Sequence, residues 1–475
     1  MNPYNISPVA QRIRYLLSDL LTGAIAFWVF NIVRFYLLKE SVGGHGSLWG
    51  FLSSPKLVIE QCLVPWCLLA IYWLSGYYNH PYGKSRLQEF NTTMFATITN
   101  TVIIYLILLI NDQTGERIIN YEVILVLFGL LFSLTYTGRL ILTSYALVNF
   151  RRNHWKIKVM MIGDARQAEG MVRKLENAAS RVKYSVESFI ELDSDDNLIK
   201  DNRCLTSDDL KEICSALHIN QIILATGNMD DKRILALLSR LFPLDIPIKI
   251  SPDTFSLVTS AVKLKDIFGE PFIDLASPSI GDASKNIKRA LDVFVSILAL
   301  ILFSPLFGFI CLIIKTTSKG PVIYRQERIG FHQKPFFIYK FRSMIVDSEP
   351  EGPRLSEKND PRITKCGIWL RKYRLDELPQ FWNVLKGEMS LVGPRPERLY
   401  YIREIIKEAP FYTLVCQVRP GITSWGMVKY GYASSIHQMV ERTHYDLIYL
   451  ANMSLSLDMK ILLYTLKTVF SGKGQ

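Results

Sequence analysis

Two long intervals without a formal charge stand out near the start of the chain: residues 61–83, between Glu60 and Lys84, and residues 90–111, between Glu89 and Asp112. Each is long enough to cross ~30 Å of hydrocarbon at ~1.5 Å per helical residue. Two further apolar stretches carry isolated charges. One runs from about Leu16 to Leu38, with Asp19 near its start and Arg34 near its end. The other runs from Val123 to about Val148 and is interrupted by Arg139. The pattern predicts four spanning helices in residues 1–150. Ala24-Ile25-Ala26 has the look of a signal-peptide cleavage site, but the apolar run continues through Phe27-Trp28-Val29-Phe30, which favours an uncleaved anchor.

Lysine and arginine placement gives the orientation. Arg12 and Arg14 precede the first stretch, Lys84 and Arg86 separate the second from the third, and Arg151, Arg152, Lys156 and Lys158 come after the fourth. The connection between the third and fourth offers Arg117 alone. Both ends of the bundle, and the remainder of the chain beyond it, are therefore expected on the cytoplasmic side.

Residues 151–280 change to short apolar runs alternating with helical patterns. Ile157 to Gly163, Gln221 to Ala225 and Ile246 to Ile250 read as strands, with a helix from Ala165 to Asn177. Such alternation predicts a parallel, Rossmann-like sheet. A dinucleotide loop needs three glycines, of which the second lets the backbone approach a pyrophosphate. Gly163-Asp164-Ala165-Arg166-Gln167-Ala168 supplies only one, which favours a structural or regulatory role over NAD binding.

A fifth apolar stretch, Val293 to Ile314, is 22 residues long and is broken by Ser304-Pro305. Proline removes a helix hydrogen bond and bends the axis. Lys288 and Arg289 stand before the stretch, and Lys315 and Lys319 after it. A straight span would carry the basic remainder to the outer face, against the positive-inside rule; a kinked helix entering and leaving by one leaflet avoids this. The remainder is basic indeed. Residues 281–475 hold 28 Lys and Arg against 17 Asp and Glu, nearly the whole of the chain's net charge of +12. That points to a phosphate-rich partner or an anionic membrane. No recognisable nucleic-acid motif accompanies the charge, so no nucleic-acid partner is expected. An apolar content of 49% excludes a disordered chain. The seven cysteines form no C-x-x-C pair and read as reduced thiols.

The basic region is dense in short motifs. Gly320 to Gly330 leads to Tyr339-Lys340-Phe341-Arg342-Ser343-Met344, and then to Leu370-Arg371-Lys372-Tyr373-Arg374-Leu375-Asp376-Glu377-Leu378-Pro379-Gln380. Val392-Gly393-Pro394-Arg395-Pro396 and Arg419-Pro420-Gly421-Ile422-Thr423 complete the set. Leu378, Phe381, Trp382 and Leu385 fall at helical spacing, which predicts a helix beginning near Asp376 and places two carboxylates at its N-terminus. Adjacent carboxylates among Lys340, Arg342, Arg371, Arg374 and Arg395 suit phosphoryl transfer. One would attack phosphorus, the other would hold a divalent metal, and the cations would offset charge on the transferring group.

Taken as an ordered set, Lys288-Arg289-x-x-Asp292, the Ser304-Pro305 break, Lys340 to Met344, Leu375 to Gln380 and Val392 to Pro396 strongly resemble the monotopic bacterial sugar transferases. These are the polyprenyl-phosphate hexose-1-phosphate transferases that begin exopolysaccharide and O-antigen repeat units. The resemblance covers residues 285–475, and the preceding helices and middle domain look like the long-form members. It implies a membrane protein in three parts: a four-helix transmembrane domain (1–150), an α/β Rossmann-like domain (151–280), and a re-entrant helix with an α/β catalytic domain (281–475). It also implies a ping-pong reaction. Asp376 would attack the β-phosphorus of a UDP-sugar and release UMP, and polyprenyl phosphate would then accept the sugar phosphate. Glu377 would be the Mg²⁺ ligand, and Lys340, Arg342, Arg371 and Arg395 would meet phosphates or nucleotide. The expected partners are a UDP-hexose, polyprenyl phosphate and the bilayer, with a homodimer left open. The expected location is the cytoplasmic face of a bacterial inner membrane. The family often reads Pro-Gly-Ile-Thr-Gly-Trp, whereas Ser424 stands in the second glycine's place here.

Two other readings compete. A membrane-anchored NAD-dependent nucleotide-sugar dehydratase would also join four helices to a Rossmann domain, but it needs the glycine fingerprint this chain lacks. A non-catalytic membrane scaffold for polysaccharide assembly fits residues 1–280 and leaves the cation–carboxylate cluster at 340–395 unexplained.

Overall fold

The structure, a computed structural model, describes residues 7–42, 47–82, 84, 86–111, 117–152, 154–164, 168–172, 183–193, 198–200, 203–225, 230–250, 273–274, 280–346, 348–349, 352–355 and 360–470. It divides into two compact units. One is Met1–Lys156 with the short segments Ala179–Lys183 and Gly281–Ile287; the other is the remainder.

In the first unit, Pro8–Val42, Pro55–Leu74, Arg86–Asn111 and Arg117–Arg151 are helical, and each holds a segment long and apolar enough to cross a membrane. The chain is a membrane protein. The second helix departs from the charge-free interval 61–83. It starts at Pro55, where the missing N–H costs nothing in a first turn, and so takes in Lys56 and Glu60. It stops at Leu74 because Gly76, at φ 80°, turns the chain into the left-handed region. Absence of charge marks where lipid is tolerated, not where backbone is helical. A short helix at Leu48–Leu52, capped by the Ser47 hydroxyl accepting from the Gly50 N–H at 3.0 Å, had no sequence signal.

The charges that interrupt the first and fourth helices meet each other. Arg139 donates through Nε to Asp19 Oδ1 at 3.0 Å and through Nη2 to Oδ2 at 2.7 Å, and both side chains are fully buried. Thr93 accepts the third bond from Arg139 at 2.7 Å, and the Tyr78 hydroxyl donates to Asp19 at 2.6 Å. Ions in hydrocarbon need such partners.

The second unit opens with a seven-stranded sheet: β1 (Ile157–Gly163), β2 (Tyr184–Leu192), β3 (Leu198–Lys200), β4 (Arg203–Cys204), β5 (Gln221–Ala225), β6 (Ile248–Ile250) and β7 (Ile273–Asp274), in the order β4-β3-β2-β1-β5-β6-β7. The inner strands β2, β1, β5 and β6 are parallel, and β3, β4 and β7 add antiparallel edges. Alternate residues of β1 feed two cores. Met160 and Ile162 pack with Leu210, Ile234 and Leu238 on one face, and Val159 and Met161 pack with Ala168 on the other. Burial on both faces is why these strands read as continuous apolar runs. The half-exposed β2 and the two-residue edge strands gave no such run. Of the helix expected from Ala165 to Asn177, residues 168–172 are helical and the rest lies outside the described residues. Ile246 and Pro247 precede β6 rather than belonging to it.

Beyond the sheet, helices Asp282–Leu302 and Ser304–Thr317 meet at Phe303 with a bend of 60°. Pro305 lies in the first turn of the second helix, and the Ser304 hydroxyl donates back to the Ile301 carbonyl at 2.8 Å. The first helix is stitched to segments much later in the chain. Lys288 donates to the Val392 carbonyl at 2.9 Å and to Asp458 at 2.6 Å. Arg289 caps the carbonyls of Val384 and Leu385 at 2.7 and 3.0 Å, and Asp292 accepts from Ser390 Oγ at 2.7 Å and the Leu391 N–H at 3.1 Å. Of the antiparallel hairpin of β8 (Ile323–Ile329) and β9 (Pro335–Phe341) and the parallel pair β10 (Ser390–Val392) and β11 (Gly421–Thr423), β9 carries Lys340 and β10 leads to Arg395.

Candidate active site

Asp376 and Glu377 lie in a single 3₁₀ turn, Leu375–Glu377, and the α-helix begins only at Gln380. The expected helix start near Asp376 is displaced because Pro379 occupies the cap position and cannot continue a hydrogen-bonded turn. The expected apolar stripe is also turned. Trp382 is exposed, while Gln380, Asn383 and Val384 are buried. Asn383 decides this orientation. Its amide donates to the Phe337 carbonyl at 2.7 Å and to Glu388 at 2.7 Å, and its carbonyl accepts from the Tyr339 N–H at 3.2 Å, locking the helix to β9.

That lock sets Lys340, at the far end of β9, over the carboxylates. Its ammonium donates to Glu377 Oε1 at 2.8 Å. Arg374 Nη1 lies 3.5 Å from Glu377 Oε2, and Arg395 Nη1 lies 3.9 Å from Oε1. Arg395 owes its place to two motifs far apart in sequence. Pro394 accepts from the Gly421 N–H at 2.9 Å, and a Cβ on Gly421 would stand 2.2 Å from the Gly393 nitrogen. Only glycines permit that backbone approach. Arg374 itself has φ 53°, a left-handed conformation that costs a non-glycine residue about 1–3 kcal/mol and tends to occur at functional sites.

The two carboxylates differ in charge state although both are buried. Burial pushes the Asp376 carboxyl up to about 6, and the neighbouring Glu377 charge adds to the shift; Lys340, Arg371 and Arg374 offset only part of it. Burial also acts upward on Glu377, but Lys340, Arg374 and Arg395 overcome it and hold this carboxyl well below the ordinary glutamate range. One member of the pair is a permanent anion, and the other titrates near neutrality.

Four of the residues singled out from sequence for the site, Lys340, Asp376, Glu377 and Arg395, thus converge. Arg371 donates through Nε to Ser343 Oγ at 3.0 Å and bears on Asp376 by its charge. Arg342 does something else. Its guanidinium donates to the carbonyls of Lys319 and Ser318 at 2.8 Å each and to Ser318 Oγ at 2.7 Å. It caps the chain leaving helix Ser304–Thr317; β9 ends at Phe341, so strand alternation no longer ties the direction of Arg342 to that of Lys340. In this structure the Arg342 guanidinium is therefore engaged by Ser318 and Lys319 and not by the carboxylate pair. Ser304 and Pro305 open the second of the two bent helices, next to the junction at Phe303.

Sequence reasoning overlooked a second carboxylate node. Glu397 is buried and takes Arg442 at 2.5 Å, Arg328 at 3.2 Å and, more loosely, Arg395 Nε at 4.0 Å. Asp446 accepts from the Gly426 N–H at 2.9 Å and from the Arg395 N–H at 3.4 Å. Arg442 and Asp446 are four apart on helix Ile436–Ala451, the one signal that both serve one face. Ser424 caps helix Trp425–Lys429 by accepting from the Met427 N–H at 3.0 Å. A hydroxyl thus does a turn's work where the family often has glycine.

The sequence profile of the bacterial sugar transferases matches residues 283–472. The exopolysaccharide production protein PSS of Rhizobium leguminosarum bv. phaseoli is 38% identical over 198 residues, 40% of this chain and 98% of that protein. The chain belongs to the bacterial sugar transferases. Larger members of the family are similar in part. The UDP-N-acetylgalactosamine-undecaprenyl-phosphate N-acetylgalactosaminephosphotransferase of Aeromonas hydrophila is 44% identical over 188 residues, 40% of this chain and 44% of the relative. The UDP-glucose:undecaprenyl-phosphate glucose-1-phosphate transferase of Klebsiella pneumoniae is 37% identical over 258 residues, 54% of this chain and 56% of the relative. The matches thus span about half the length of these two relatives. As a bacterial sugar transferase, the chain carries Asp376, Glu377, Lys340 and Arg395 within the matched region.

Proposed function

We propose that this protein transfers a hexose 1-phosphate from a UDP-sugar to polyprenyl phosphate, undecaprenyl phosphate in particular, and releases UMP as the first membrane step of exopolysaccharide, capsule or O-antigen synthesis. The observation that carries this reading is the buried Asp376–Glu377 pair, one carboxyl titrating near neutrality and one held ionised, ringed by Lys340, Arg374 and Arg395. In the first half-reaction an Asp376 oxygen attacks the β-phosphorus. The bond from that phosphorus to the bridging oxygen breaks, and UMP leaves with the electron pair. In the second, a polyprenyl phosphate oxygen attacks the aspartyl-bound phosphorus and frees the carboxylate. The cations stabilise charge spread over the phosphoryl oxygens.

The residues present suit Mg²⁺. Glu377 stays anionic at neutral pH, and Mg²⁺ is commonly held by one or two carboxylates together with substrate phosphates and water. When bound, the ion would neutralise diphosphate charge. Glu377 would hold it, with Lys340 yielding its bond to that carboxylate.

The 60° bend between the two helices supports a matching topology. The bent pair Asp282–Leu302 and Ser304–Thr317 enters and leaves by the cytoplasmic leaflet of a bacterial inner membrane, and the catalytic part lies on the cytosolic face, where nucleotide sugars are made. The sheet of residues 151–280 is a Rossmann-like domain of structural or regulatory role.

The test uses the full chain in detergent with UDP-glucose, UDP-galactose or UDP-N-acetylgalactosamine and no lipid acceptor. The preferred donor should yield up to one equivalent of UMP, and the peptide containing Asp376 should gain the mass of a sugar phosphate. If UMP appears only when polyprenyl phosphate is added, and no adduct can be trapped, transfer is direct and the two-step scheme is withdrawn.

The pH dependence has a definite sign. Below about 6 the Asp376 carboxyl is protonated and cannot attack, whereas Glu377 remains ionised. Single-turnover UMP release should therefore be level above roughly pH 7 and fall about tenfold per unit on the acid side. A rate unchanged down to about pH 4.5 would contradict the assignment.

A further inference from the structure

Tyr432 is a site aromatic for which the proposed chemistry supplies no task. It lies just after helix Trp425–Lys429 and is half-buried, and its ring centre lies 5.2 Å from the guanidinium carbon of Arg374 and 5.7 Å from that of Arg395. Both arginines are drawn to Glu377, at 3.5 and 3.9 Å. Neither is fixed by short side-chain bonds among the described residues. Arg374 Nε is buried without a hydrogen-bond partner, and the Arg395 guanidinium comes no closer than 3.9 Å to Glu377 and 4.0 Å to Glu397. Two cations attracted to one carboxylate repel each other. A ring beside both offers its negative face as a counterweight that needs no hydrogen bond and leaves their N–H groups uncommitted.

We propose that Tyr432 is a positioning residue whose ring holds Arg374 and Arg395 where they meet the diphosphate of a nucleoside diphosphate. The proposal rests on the transferase reading and adds to it a residue outside the motifs that carry the family resemblance. The ring, not the hydroxyl, does the holding. Burial and the nearby Glu377 keep the phenol above its ordinary value, so it stays neutral at working pH.

The experiment measures binding of UDP, with Mg²⁺, to the full chain in detergent. Tyr432→Leu should weaken binding about tenfold, the order expected for two cation–π contacts at a partly desolvated site. Tyr432→Phe should recover most of that loss. In an Arg395→Ala background, Tyr432→Leu should cost clearly less than it does alone, since part of what the ring holds is gone. Melting temperature monitors the fold, and Tyr432→Met serves as the ringless variant should the leucine protein be unstable. Equal losses for Phe and Leu, or full additivity with Arg395→Ala, would overturn the proposal. A wild-type protein that does not bind UDP would instead overturn the transferase reading beneath it.

Discussion

Asp376→Asn should abolish UMP release and, at the same time, make the protein harder to unfold. The first effect comes from removing the attacking anion while keeping shape, and a loss of at least ~10³-fold is expected. The second comes from linkage. The folded protein holds a proton on Asp376 up to about 6, well above the range of an exposed carboxyl. A raised carboxyl favours the folded state fully below the unfolded value, and that advantage is lost as pH rises through the folded one. At about pH 7.5 the wild type therefore carries a destabilisation of roughly 1–3 kcal/mol that asparagine lacks. Melting curves in detergent should show Asp376→Asn above wild type at about pH 7.5, with the gap closing below about pH 4. A variant that melts lower at that pH would show that burying this carboxylate carries no such cost.

Arg139→Leu should have the largest effect on the membrane bundle. It strands the Asp19 carboxylate, fully buried and bonded twice to Arg139, in the interior of four helices. Breaking such a pair from one side costs about 3–5 kcal/mol, most of it the unpaired charge. Asp19→Asn with Arg139→Gln removes both charges and should restore much of the lost stability and membrane yield. Folded yield and melting temperature of the three proteins decide the matter. A double variant no better than the single one would show that the pair does more than neutralise itself.

What could be read from the sequence depended on how local the cause was. Four apolar stretches announced the bundle, because hydrocarbon imposes its demand residue by residue. The partnership of Asp19 with Arg139 was hidden, since nothing local relates positions 120 apart. In the site, Asp376, Glu377, Lys340 and Arg395 were legible as charges within recognisable motifs. The contacts of Arg342 were not legible, because the carbonyls left open after Thr317, more than twenty positions earlier, draw its guanidinium. Glu397, Arg442 and Tyr432 sit outside the family motifs or at their edges, and only folding brings them to Arg374 and Arg395. The turn of helix Gln380–Lys386 was misjudged for a similar reason. A buried Asn383 serving as a stand-in strand neighbour outweighs an apolar stripe.

The stitching of helix Asp282–Leu302 sets a timetable for making the enzyme. The partners of Lys288 lie 104 and 170 positions further along the chain, at Val392 and Asp458. At about 5–20 residues per second of synthesis, roughly 10 to 35 s separate the appearance of this lysine from that of its last partner. Until Ser390 to Val392 are made, Lys288 and Asp292 lack every one of these partners, and Lys288 lacks Asp458 until the interval ends. The hairpin carrying Lys340 and the turn carrying Asp376 are made within it and must wait for β10 to be fastened to the helix. The newborn protein is thus a membrane protein well before it is a catalyst.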